Sequence, residues 1–359
     1  MIVLAVDGRP LHGNMTGVGK YLYHLLVLLD KNIENVQFVF FTNRKIDNAI
    51  DLKNFEIVED ASFFSRCKPM IWFILFSHLI INKRKFDFFL AGGTFIPFFL
   101  KKSKMITIAY DLNHILASET MSKLHNFTHW LFYKRAILKA DAIIAISKGT
   151  SNKLLKYYKR KADFIIYPFV SEIYQVINKA LVSKILLDFG IKFPYILSVG
   201  TLEPRKNIDK LIKSFLLLKD NGKLPNHKLV LVGSSGWKSS QMQEIINSNK
   251  EKIFPLGYIP DNELPIIYNG ASLFVFPSKY EGFGIPPREA MYCGIQTIVS
   301  NIEELQEATM QSAIYIEPND VSALANAIDN AMEHPKRVNN FERNPEVKSQ
   351  LRELICYLK

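Results

Sequence analysis

The chain has 359 residues, of which 48% are hydrophobic and 22% charged; this is the composition of a globular protein and excludes a disordered one. The length exceeds one ordinary α/β core and predicts two domains. The formal net charge of +11 raises the question of an anionic partner, but no helix-turn-helix, zinc-finger or RNA-recognition signature accompanies it, so nucleic acid is not favoured.

Apolar, strand-like runs alternate with helical patterns through the first half of the chain. The predicted strands are residues 2–6, 38–41, 86–90, 105–109, 142–146 and 164–166, and the clearest helices are residues 21–29 and 127–138. This alternation predicts parallel βαβ units.

The pattern pauses after Pro168 and then resumes. A short helix over residues 181–187 precedes strands at 195–199, 229–232, 273–276 and 297–299. We therefore predict domains at residues 1–171 and 172–343. Residues 344–359 are expected to form an amphipathic helix that packs back toward the first domain, with Asn344 as its cap and Pro345 in its first helical position.

The predicted fold class is α/β, with two Rossmann-like, doubly wound domains that face a central cleft. Such sheets bind ligands at the carboxyl ends of their strands. The most apolar run, residues 70–81, contains Ser77 and His78 and is shorter than the about 20 residues that a membrane-spanning helix needs.

The first strand-to-helix junction of chemical interest runs from Gly200 to Asn207. A strand ends at Gly200, and Asn207 is placed to cap the next helix. Arg205 and Lys206 then lie just before a helix N-terminus, where backbone N–H groups, the helix dipole and two cations favour a diphosphate. Alone, the pair could equally be two exposed basic residues on a loop.

Two further junctions carry glycines and carboxylates. A strand runs into Gly233, where the backbone can approach a ligand closely or simply turn; this segment continues to Trp237. The third junction follows Pro277, with Glu281 on a glycine-rich loop and Glu289 in the first turn of the next helix. An ionised carboxylate accepts hydrogen bonds and can bridge a sugar diol, although capping or a solvent-facing charge would also explain each residue.

Together, the three junctions closely resemble the retaining glycosyltransferases of the bacterial family 4, the group 1 glycosyl transferases, which have the GT-B fold. The matching residues are Glu203-Pro204-Arg205-Lys206-Asn207, Gly257, Pro277-Ser278, Glu281-Gly282-Phe283-Gly284 and Glu289-Ala290-Met291. The resemblance implies a nucleotide-sugar donor in the second domain and an acceptor on the side of the first. It also implies no metal and no other cofactor, because a cationic pair can neutralise the departing diphosphate.

The resemblance implies a role for each matching residue. Arg205 and Lys206 match the pair that holds the donor diphosphate. Glu281 matches the catalytic carboxylate that faces the donor sugar, and Glu289 matches the carboxylate that binds the ribose. The backbone of Gly282, Phe283 and Gly284 would contact the sugar or nucleotide, as would the turns at Gly200 and Gly233.

The first half resembles the family more loosely. Gly17 and Gly19 match a glycine loop whose N–H groups approach the diphosphate or the acceptor. Asp111 matches the aspartate of the family's His-Asp-Leu strand end and is a candidate catalytic residue that could orient the acceptor or ligand. Tyr110 stands where the family has a histidine; His114 is a candidate substitute, although a lone histidine is more often structural. Ala140-Asp141 and Ile146-Ser147 also match and are expected at the cleft wall.

A second departure lies after the second carboxylate. Gln306 replaces a proline of the family, and Glu303 and Glu304 are expected to add charge near the donor. Donor identity is therefore open among GDP-mannose, UDP-hexoses and dTDP-rhamnose, with mannose favoured on resemblance alone.

The charge is distributed unevenly along the chain. Residues 1–170 contain 24 basic and 13 acidic residues, whereas residues 171–359 contain 21 of each. Clusters at 83–85, 101–104 and 156–161 are interleaved with aromatic residues. They are either solvated surface or a docking site for an anionic membrane, which would suit a saccharide or polyprenyl-linked saccharide acceptor.

Cysteine usage and the N-terminus bear on localisation. Cys67, Cys293 and Cys356 are far apart, odd in number and match no metal-ligand spacing, and the first residues lack the features of a secretory signal. The expected localisation is cytoplasmic, at the inner face of the cell membrane. The expected function is hexose transfer in surface-polysaccharide or O-antigen synthesis; the alternatives are a nucleotide-sugar epimerase-hydrolase and a non-catalytic partner subunit of the same fold.

Overall fold

The computed structural model describes residues 1–13, 15–47, 50–101, 103–116, 123–234, 236, 240–337, 341 and 343–359. They form two compact units. The first unit comprises Met1–Phe169 and Asn344–Lys359, and the second comprises Val170–Arg343. Ser235 and Trp237 of the second junction, and Lys102 of one basic cluster, lie outside the described residues.

A parallel sheet forms the centre of the first unit. Its strands are β1 (Ile2–Asp7), β2 (Val36–Thr42), β3 (Phe55–Glu59), β4 (Phe88–Ala91), β5 (Lys104–Ala109), β6 (Ala142–Ala145) and β7 (Phe164–Ile165). Within the described residues their order is β3-β2-β1-β4-β5-β6-β7, and every pair is parallel. The strand order reverses between β1 and β4, which makes their carboxyl ends the switch point of this sheet.

Helices connect these strands. They are α1 (Gly17–Asn32), α2 (Pro69–Leu75), α3 (His78–Ile81), α4 (Asn113–Leu116), α5 (Lys123–Lys139) and α6 (Lys148–Tyr158), with 3-10 turns at Arg9–Leu11 and Phe63–Arg66. The Ser147 side chain caps α6 by accepting the backbone N–H of Thr150 at 2.8 Å.

The second unit is built in the same way. Its strands are β8 (Tyr195–Val199), β9 (Lys228–Val232), β10 (Ile253–Gly257), β11 (Leu273–Phe276), β12 (Thr297–Ser300) and β13 (Ile314–Ile316), in the order β10-β9-β8-β11-β12-β13 among the described strands. All neighbours are parallel, and the order reverses between β8 and β11. Its helices are α7 (Lys179–Leu186), α8 (Ile208–Asp220), α9 (Ser240–Ser248), α10 (Leu264–Gly270), α11 (Ile285–Tyr292), α12 (Glu303–Ala308) and α13 (Val321–Glu333), with a 3-10 turn at Pro204–Lys206.

Both faces of the second sheet are covered. Leu197 and Val199 of β8 belong to one buried cluster, whereas Ile196 belongs to another on the opposite face. Because successive strand residues point to opposite faces, a strand that is covered on both sides must be apolar throughout. This explains the continuous apolar runs in the sequence and confirms the prediction of doubly wound α/β sheets.

The strands that the sequence pattern missed lie at sheet edges. β3, β10 and β13 are each the outermost strand at one end of their sheet. β3 alternates exposed and half-buried residues, β10 contains Pro255, and β13 has three residues. Edge strands tolerate proline and need no continuous apolar run, so they lack the signal on which the prediction rested.

The last helix, α14 (Val347–Leu358), begins later than predicted. Asn344 has φ 43° and lies outside the helix, and Glu346 occupies the N-cap position, so the predicted roles of Asn344 and Pro345 are wrong. A residue before proline is disfavoured in the α region, and asparagine tolerates positive φ, which delays the helix start.

The buried face of α14 follows the predicted periodicity. Val347, Leu351, Leu354 and Leu358 are all buried. The Tyr357 ring lies 5.7 Å from Phe88 and 5.4 Å from Phe164, and the backbone N–H of Tyr167 donates to Gln350 Oε1 at 2.9 Å. The helix therefore belongs structurally to the first unit.

The most apolar run of the sequence forms α2 and α3. Among the helices that the structure describes, none combines the length and the apolarity required to cross a membrane.

Candidate functional site

Two loops meet at the carboxyl edge of the second sheet, at its switch point. One follows β8 and carries Arg205 and Lys206, and the other follows β11 and carries Glu281. The Glu281 carboxylate accepts a hydrogen bond from Lys206 Nζ at 2.6 Å and forms an ion pair with Arg205, whose Nη1 lies 2.9 Å from Oε2. The structure therefore brings together three of the side chains that the sequence predicts to bind a donor.

The charge of Glu281 is strongly stabilised. Besides the two cations, the Ser278 hydroxyl lies 2.6 Å from Glu281 Oε1 and donates to it. Burial raises the pKa of this carboxyl, but the charges of Arg205 and Lys206 outweigh burial and hold the pKa at about 2. Glu281 is therefore ionised, and acts as a hydrogen-bond acceptor, throughout the neutral range.

Backbone geometry fixes the two cations. Arg205 and Lys206 lie in the single 3-10 turn Pro204–Lys206, which ends where Asn207 adopts φ 59°. The Arg205 carbonyl accepts the backbone N–H of Lys279 at 3.0 Å, which ties the two loops together. Asn207 precedes α8 as predicted, but its side chain does not cap the helix; it donates instead to the Pro318 carbonyl, so the capping prediction is wrong.

Arg205 is held on several sides. Its Nη2 and Nε donate to Glu203 Oε1 at 2.6 and 3.1 Å, and its Nη1 donates to the Tyr280 carbonyl at 2.8 Å. The sequence argument missed Glu203 and Ser278 as contributors to this cluster. The available signal was their position two and three residues from predicted site residues, in loops that converge.

Lys206 is more enclosed. Its side chain is 11% exposed, and its Nζ lies over the Phe276 ring at 4.7 Å. Burial lowers its pKa against the opposing influence of Glu281. Lys206 also passes over Gly200, where a Cβ would lie 3.5 Å from Lys206 Cε at a φ of 150°.

Gly200 and Gly233 pack their backbones against each other. Gly233 has φ 138°, and a Cβ there would come within 2.2 Å of the Gly200 carbonyl oxygen. The backbone N–H of Gly200 donates to the Val232 carbonyl at 2.8 Å. Only glycine fits such a contact, so the close backbone approach that the sequence suggested at Gly233 is made to Gly200.

Glu289 lies farther along α11 than predicted. The helix begins at Ile285, so Glu289 is in its second turn and not in the first, where the dipole would act on it most strongly. Its charge is supported by phenols: Tyr268 Oη donates to Glu289 Oε2 at 2.8 Å, and burial followed by the Glu289 charge raises the pKa of both Tyr268 and Tyr174. Tyr268 is therefore a third residue of the site, after Glu203 and Ser278, that was not predicted from the sequence.

Two positions of the glycine-rich turn before α11, Phe283 and Gly284, serve packing. Phe283 is buried beneath the Arg288 guanidinium, whose Cζ lies 4.8 Å from the ring centroid. Gly284 has φ 110°, and a Cβ there would lie 2.5 Å from Leu305 Cδ2. With the Phe283 side chain in the core, the backbone of this turn, from Gly282 onward, is what it can present to a ligand.

Arg288 is a buried cation that the sequence did not reveal. Its Nε donates to the Ala308 carbonyl at 2.8 Å and its Nη2 to the Glu307 carbonyl at 3.1 Å. These carbonyls end α12, where the helix dipole favours a cation. On the same helix Glu304 is fully buried, and the expectation that it adds charge near the donor stays a prediction.

Gly17 and Gly19 of the first unit belong to the first turn of α1. The prediction that they lie in a loop is therefore wrong. The chain enters the helix at Thr16, earlier than the predicted residue 21. A Cβ on Gly19 would lie 2.2 Å from the Pro10 carbonyl oxygen, whereas a Cβ on Gly17 would meet nothing within 4 Å. Packing therefore requires glycine at position 19 only.

The segment after β5 contains Asp111 and its neighbours. Asp111 accepts the backbone N–H of Asn113 at 3.1 Å and its side-chain amide at 2.6 Å. Tyr110, in place of the family's histidine, donates its hydroxyl to the Gly92 carbonyl at 2.7 Å and packs edge-on against Tyr21. The side chain at position 110 is thus a packing residue of the sheet edge.

His114 does not substitute for the missing histidine. It is 2% exposed, its Nε2 lies 2.6 Å from the Tyr158 hydroxyl, and its ring packs against Tyr133 and His129. Burial, followed by the neighbouring His129, lowers its pKa to about 3. The reading of His114 as a structural residue is the correct one.

Asp7 and Arg9 form a paired charge at the switch point of the first sheet. Arg9 Nε and Nη2 donate to the two oxygens of the fully buried Asp7 carboxylate at 2.8 and 2.7 Å. The backbone N–H of Gly93 donates to Asp7 Oδ2 at 3.1 Å, and the guanidinium lies 3.7 Å from the Phe73 ring centroid. Asp7-Gly8-Arg9 resembles the family's first strand, but the ion pair between Asp7 and Arg9 was not predicted from the sequence.

The two segments predicted to lie at the cleft wall are at opposite ends of strand β6. Asp141 precedes β6 and accepts the Met105 backbone N–H at 2.8 Å, whereas Ser147 follows the same strand. They therefore lie at opposite edges of the first sheet, and only Ser147 lies at the carboxyl edge. Within the part of the chain that the structure describes, no three His, Cys, Asp or Glu side chains are grouped to hold a metal ion.

Two doubly wound parallel-sheet units, with a cation–carboxylate cluster at the switch point of the second, define the GT-B class of glycosyltransferases. The chain belongs to this class: it is a member of the family described as Glycosyl transferases group 1, which matches residues 188–347 and thus the whole cluster. It is 32% identical over 345 residues to the O-antigen chain mannosyltransferase B of Escherichia coli, which covers 90% of this chain and 88% of the relative.

Two further similarities agree with this assignment. The O-antigen chain mannosyltransferase RfbU of Salmonella typhimurium is 28% identical over 302 residues, covering 79% of this chain and 77% of the relative. The sucrose-phosphate synthase of Thermosynechococcus elongatus has the same fold, with a TM-score of 0.72 at 19% identity, covering 99% of this chain and 95% of that structure.

Proposed function

We propose that this enzyme transfers a hexose, with mannose favoured, from a nucleoside-diphosphate sugar to a saccharide or polyprenyl-linked saccharide acceptor. The product would extend a surface polysaccharide such as an O-antigen. The preference for mannose follows two relatives whose names are mannosyltransferases, and GDP-mannose is then the first donor to test.

The observation that carries the proposal is the cluster of Arg205, Lys206 and Glu281. Its cations lie 2.9 and 2.6 Å from one carboxylate at the edge where such sheets bind ligands. A diphosphate that enters here would meet two fixed positive charges in a largely desolvated site, where electrostatic stabilisation of a leaving group is strong. No metal is needed for that stabilisation.

The other residues follow from this placement of the donor. Glu281, ionised and acceptor-only, would receive hydrogen bonds from sugar hydroxyls, with backbone groups of Gly282, Phe283 and Gly284 beside it. Glu289 would accept hydrogen bonds from the two hydroxyls of the ribose diol. Because Gly200 carries no side chain, the end of β8 leaves the diphosphate room beside Lys206, and Gly233 lets the end of β9 pack directly against Gly200.

In the first unit, the N–H groups at the start of α1, from Gly17 and Gly19, would face an anion, as helix N-termini do. Asp111 would orient the acceptor hydroxyl. These assignments rest on the family resemblance, supported by the position of both segments at the carboxyl edge of the first sheet.

The proposed reaction retains the anomeric configuration. The bond between the sugar C1 and the diphosphate oxygen breaks, and a bond from C1 to the acceptor oxygen forms on the same face. The proton of the acceptor hydroxyl passes to the departing phosphate oxygen, so charge and atoms balance. Arg205 and Lys206 would stabilise the negative charge that grows on that oxygen.

The excess of basic residues in residues 1–170 supports binding to an anionic membrane surface. We propose a cytoplasmic enzyme that makes peripheral contact with the inner face of the cell membrane, where a polyprenyl-linked acceptor would be found.

Nucleotide binding without metal tests the donor site. The melting temperature of the wild type is measured in EDTA, first alone and then with GDP, UDP, dTDP or ADP. A ligand that binds only the folded state raises the melting temperature. We expect one nucleotide to stabilise the wild type but not Lys206→Ala. Lys213→Ala, an exposed lysine of α8, is the matched control and should respond as the wild type does.

Two outcomes would contradict the proposal. A folded wild type that no nucleotide stabilises would show that the second unit does not bind a donor. Release of free sugar from the stabilising donor without any acceptor, and no transfer when acceptors are added, would indicate the epimerase-hydrolase reaction instead.

A further inference from the structure

The first unit exposes a band of large apolar side chains along α2 and α3, which we call the α2–α3 surface. Phe63 and Phe99 are 76% and 64% exposed, respectively. The other members, each more than a third exposed, are Phe64, Ile71, Leu75 and Leu79. Exposed apolar side chains are common singly, but a contiguous set of this kind marks an interaction site.

The helices themselves are apolar on both sides. Trp72, Phe73 and Ile74 of α2 are buried in the core of the unit. Ile71 and Leu75, four residues apart, lie on the outward face of α2, and Leu79 of α3 is also exposed; we call these three side chains the outward stripe. A surface helix normally carries polar residues on that side, and a helix that is apolar all round is usually covered.

Packing joins the flanking aromatics to this stripe. The Phe64 ring stacks on Phe76, between α2 and α3, at 4.3 Å and 11°. The Phe99 ring lies 5.2 Å from His78 of α3, and the Phe99 carbonyl accepts from Asn82 Nδ2 at 2.9 Å. The loops that carry Phe63 and Phe99 are thus fixed against the helices, and the exposed rings belong to one surface.

Basic residues border the surface at both ends. They are exposed, and they comprise Arg66 and Lys68 before α2, Lys83 and Lys85 after α3, and Lys101 after Phe99; Arg84, between the two lysines, is instead paired with Glu56 at 2.6 Å. An apolar centre with a cationic border matches the boundary of an anionic bilayer, where apolar side chains enter the acyl region and lysines reach the lipid phosphates. Each basic residue near such a surface adds about 1 kcal/mol of attraction.

We propose that the α2–α3 surface inserts into the acidic phospholipid leaflet that carries the acceptor. This inference rests on the membrane contact proposed above and deepens it, because it assigns the contact to named residues and makes it hydrophobic as well as electrostatic. It predicts a dependence on salt that charge alone does not. At 0.1 M salt, the attraction between exposed charges is largely screened beyond about 10 Å. The favourable free energy of transferring apolar side chains out of water persists at high salt.

Vesicle flotation tests the insertion. The full-length protein, without substrates, is floated with phosphatidylethanolamine–phosphatidylglycerol vesicles at low and high NaCl concentration. We expect the wild type to remain partly bound at high salt and the Phe63→Ser/Phe99→Ser double variant to bind at least about tenfold more weakly, since lipid association scales with buried apolar area. Val176→Ser/Leu187→Ser, which removes apolar side chains that are 58% and 53% exposed on the second unit, is the control.

Three results would overturn the inference. The first is wild-type binding that high salt abolishes, which would leave only charge. The second is equal vesicle binding by the double variant and the control. The third is a wild-type dimer that the double variant converts to monomers in sedimentation velocity, which would assign the surface to a second copy of this chain.

Transfer to a water-soluble saccharide acceptor separates this inference from the proposed function. The double variant should retain that activity, because neither phenylalanine belongs to the donor cluster. Intact transfer without vesicle binding in the wild type would refute the insertion alone. Salt-resistant vesicle binding without transfer would support the insertion and count against the proposed reaction.

Discussion

Glu281 has an environment that no other carboxylate of the cluster shares. Two cations and the Ser278 hydroxyl surround it, and its side chain is 10% exposed. Such a group cannot change charge near neutrality without disturbing both cations. It is therefore suited to hold a fixed negative charge beside a reacting sugar, and poorly suited to exchange protons.

Replacing Glu281 by Gln keeps the shape of the side chain but removes the charge. We expect turnover to fall by about 100-fold or more, the usual size of the loss when a single electrostatic contact to a transition state is removed. Affinity for the nucleotide should change little, because Arg205 and Lys206 remain. Steady-state kinetics with the donor identified by thermal shift provide the measurement. Glu251→Gln, on an exposed turn, is the control, and unchanged turnover in Glu281→Gln would refute the assignment.

His114 makes a prediction about stability and pH. Its pKa is lowered to about 3 in the folded state, first by burial and then by His129, against 6.5 for a free side chain. Below pH 6.5 the unfolded chain binds a proton that the folded chain does not, so stability is complete above that pH and is lost as the pH falls. Between pH 7 and pH 5 this single group should cost about 2 kcal/mol.

Urea denaturation of His114→Gln, followed at several pH values, measures this contribution. Glutamine can still bond to Tyr158 but does not titrate, so the free energy of unfolding should fall less steeply with acid than in the wild type. His334→Gln, at the exposed end of α13, is the control substitution. Parallel slopes in the wild type and His114→Gln would show that His114 is not held neutral.

At the scale of elements, two glycines in the first turn of α1 allow a packing role to be distinguished from a role in ligand binding. Gly19→Ala would press its Cβ against the Pro10 carbonyl, whereas Gly17→Ala has open space. We expect Gly19→Ala to lower the free energy of unfolding by about 1–3 kcal/mol through overpacking. Gly17→Ala should leave it unchanged or raise it by up to about 1 kcal/mol, because alanine favours helix.

Chemical denaturation of both variants gives the comparison, and donor binding by the folded proteins gives the function. A loss of nucleotide affinity in Gly17→Ala, at unchanged stability, would support a ligand contact at this helix start. If both variants lose stability equally, the packing argument at Gly19 is wrong.

The central elements were predictable from sequence because each strand is covered on both faces. β8 and β11 have the predicted bounds, since their apolar runs end at a glycine and a proline. The edge strands β3, β10 and β13 are short, mixed or interrupted, so they form through pairing with a neighbour that local sequence does not reveal. The start of α14 was mispredicted because Asn344, which precedes Pro345, adopts φ 43° and not a capping conformation.

Three charged residues of the site could be predicted from the sequence, whereas the side chains that hold them in place could not. Arg205, Lys206 and Glu281 were found from their loops, but their mutual contacts span about 75 residues of sequence. Ser278 and Tyr268 look like ordinary polar residues in a linear pattern. Only the fold aims their hydroxyls at Glu281 and Glu289.

At the scale of the whole molecule, the chain returns to its first unit after completing the second. Helix α14 lies within the first unit, and Leu354 and Leu358 line the same buried space as residues of β1, α1, β4, β5 and β6, namely Leu4, Leu25, Leu29, Leu90, Ile106 and Ile144. The last residues of the chain therefore complete a core whose other members are all in the first half. Stability of the first unit should depend on them, and stability of the second should not.

Leu354→Ala tests this division. Leu354 is 1% exposed, and deleting a buried leucine side chain typically costs about 2–5 kcal/mol. Hydrogen exchange should show faster exchange of the amides of β1 and β5, while those of β8 and β11 keep their protection, because each sheet has its own core. Cys356→Ala, exposed on the same helix, should exchange as the wild type does. Equal loss of protection in both sheets would mean that the two units unfold as one cooperative block, and the last helix would then stabilise the donor cluster as well.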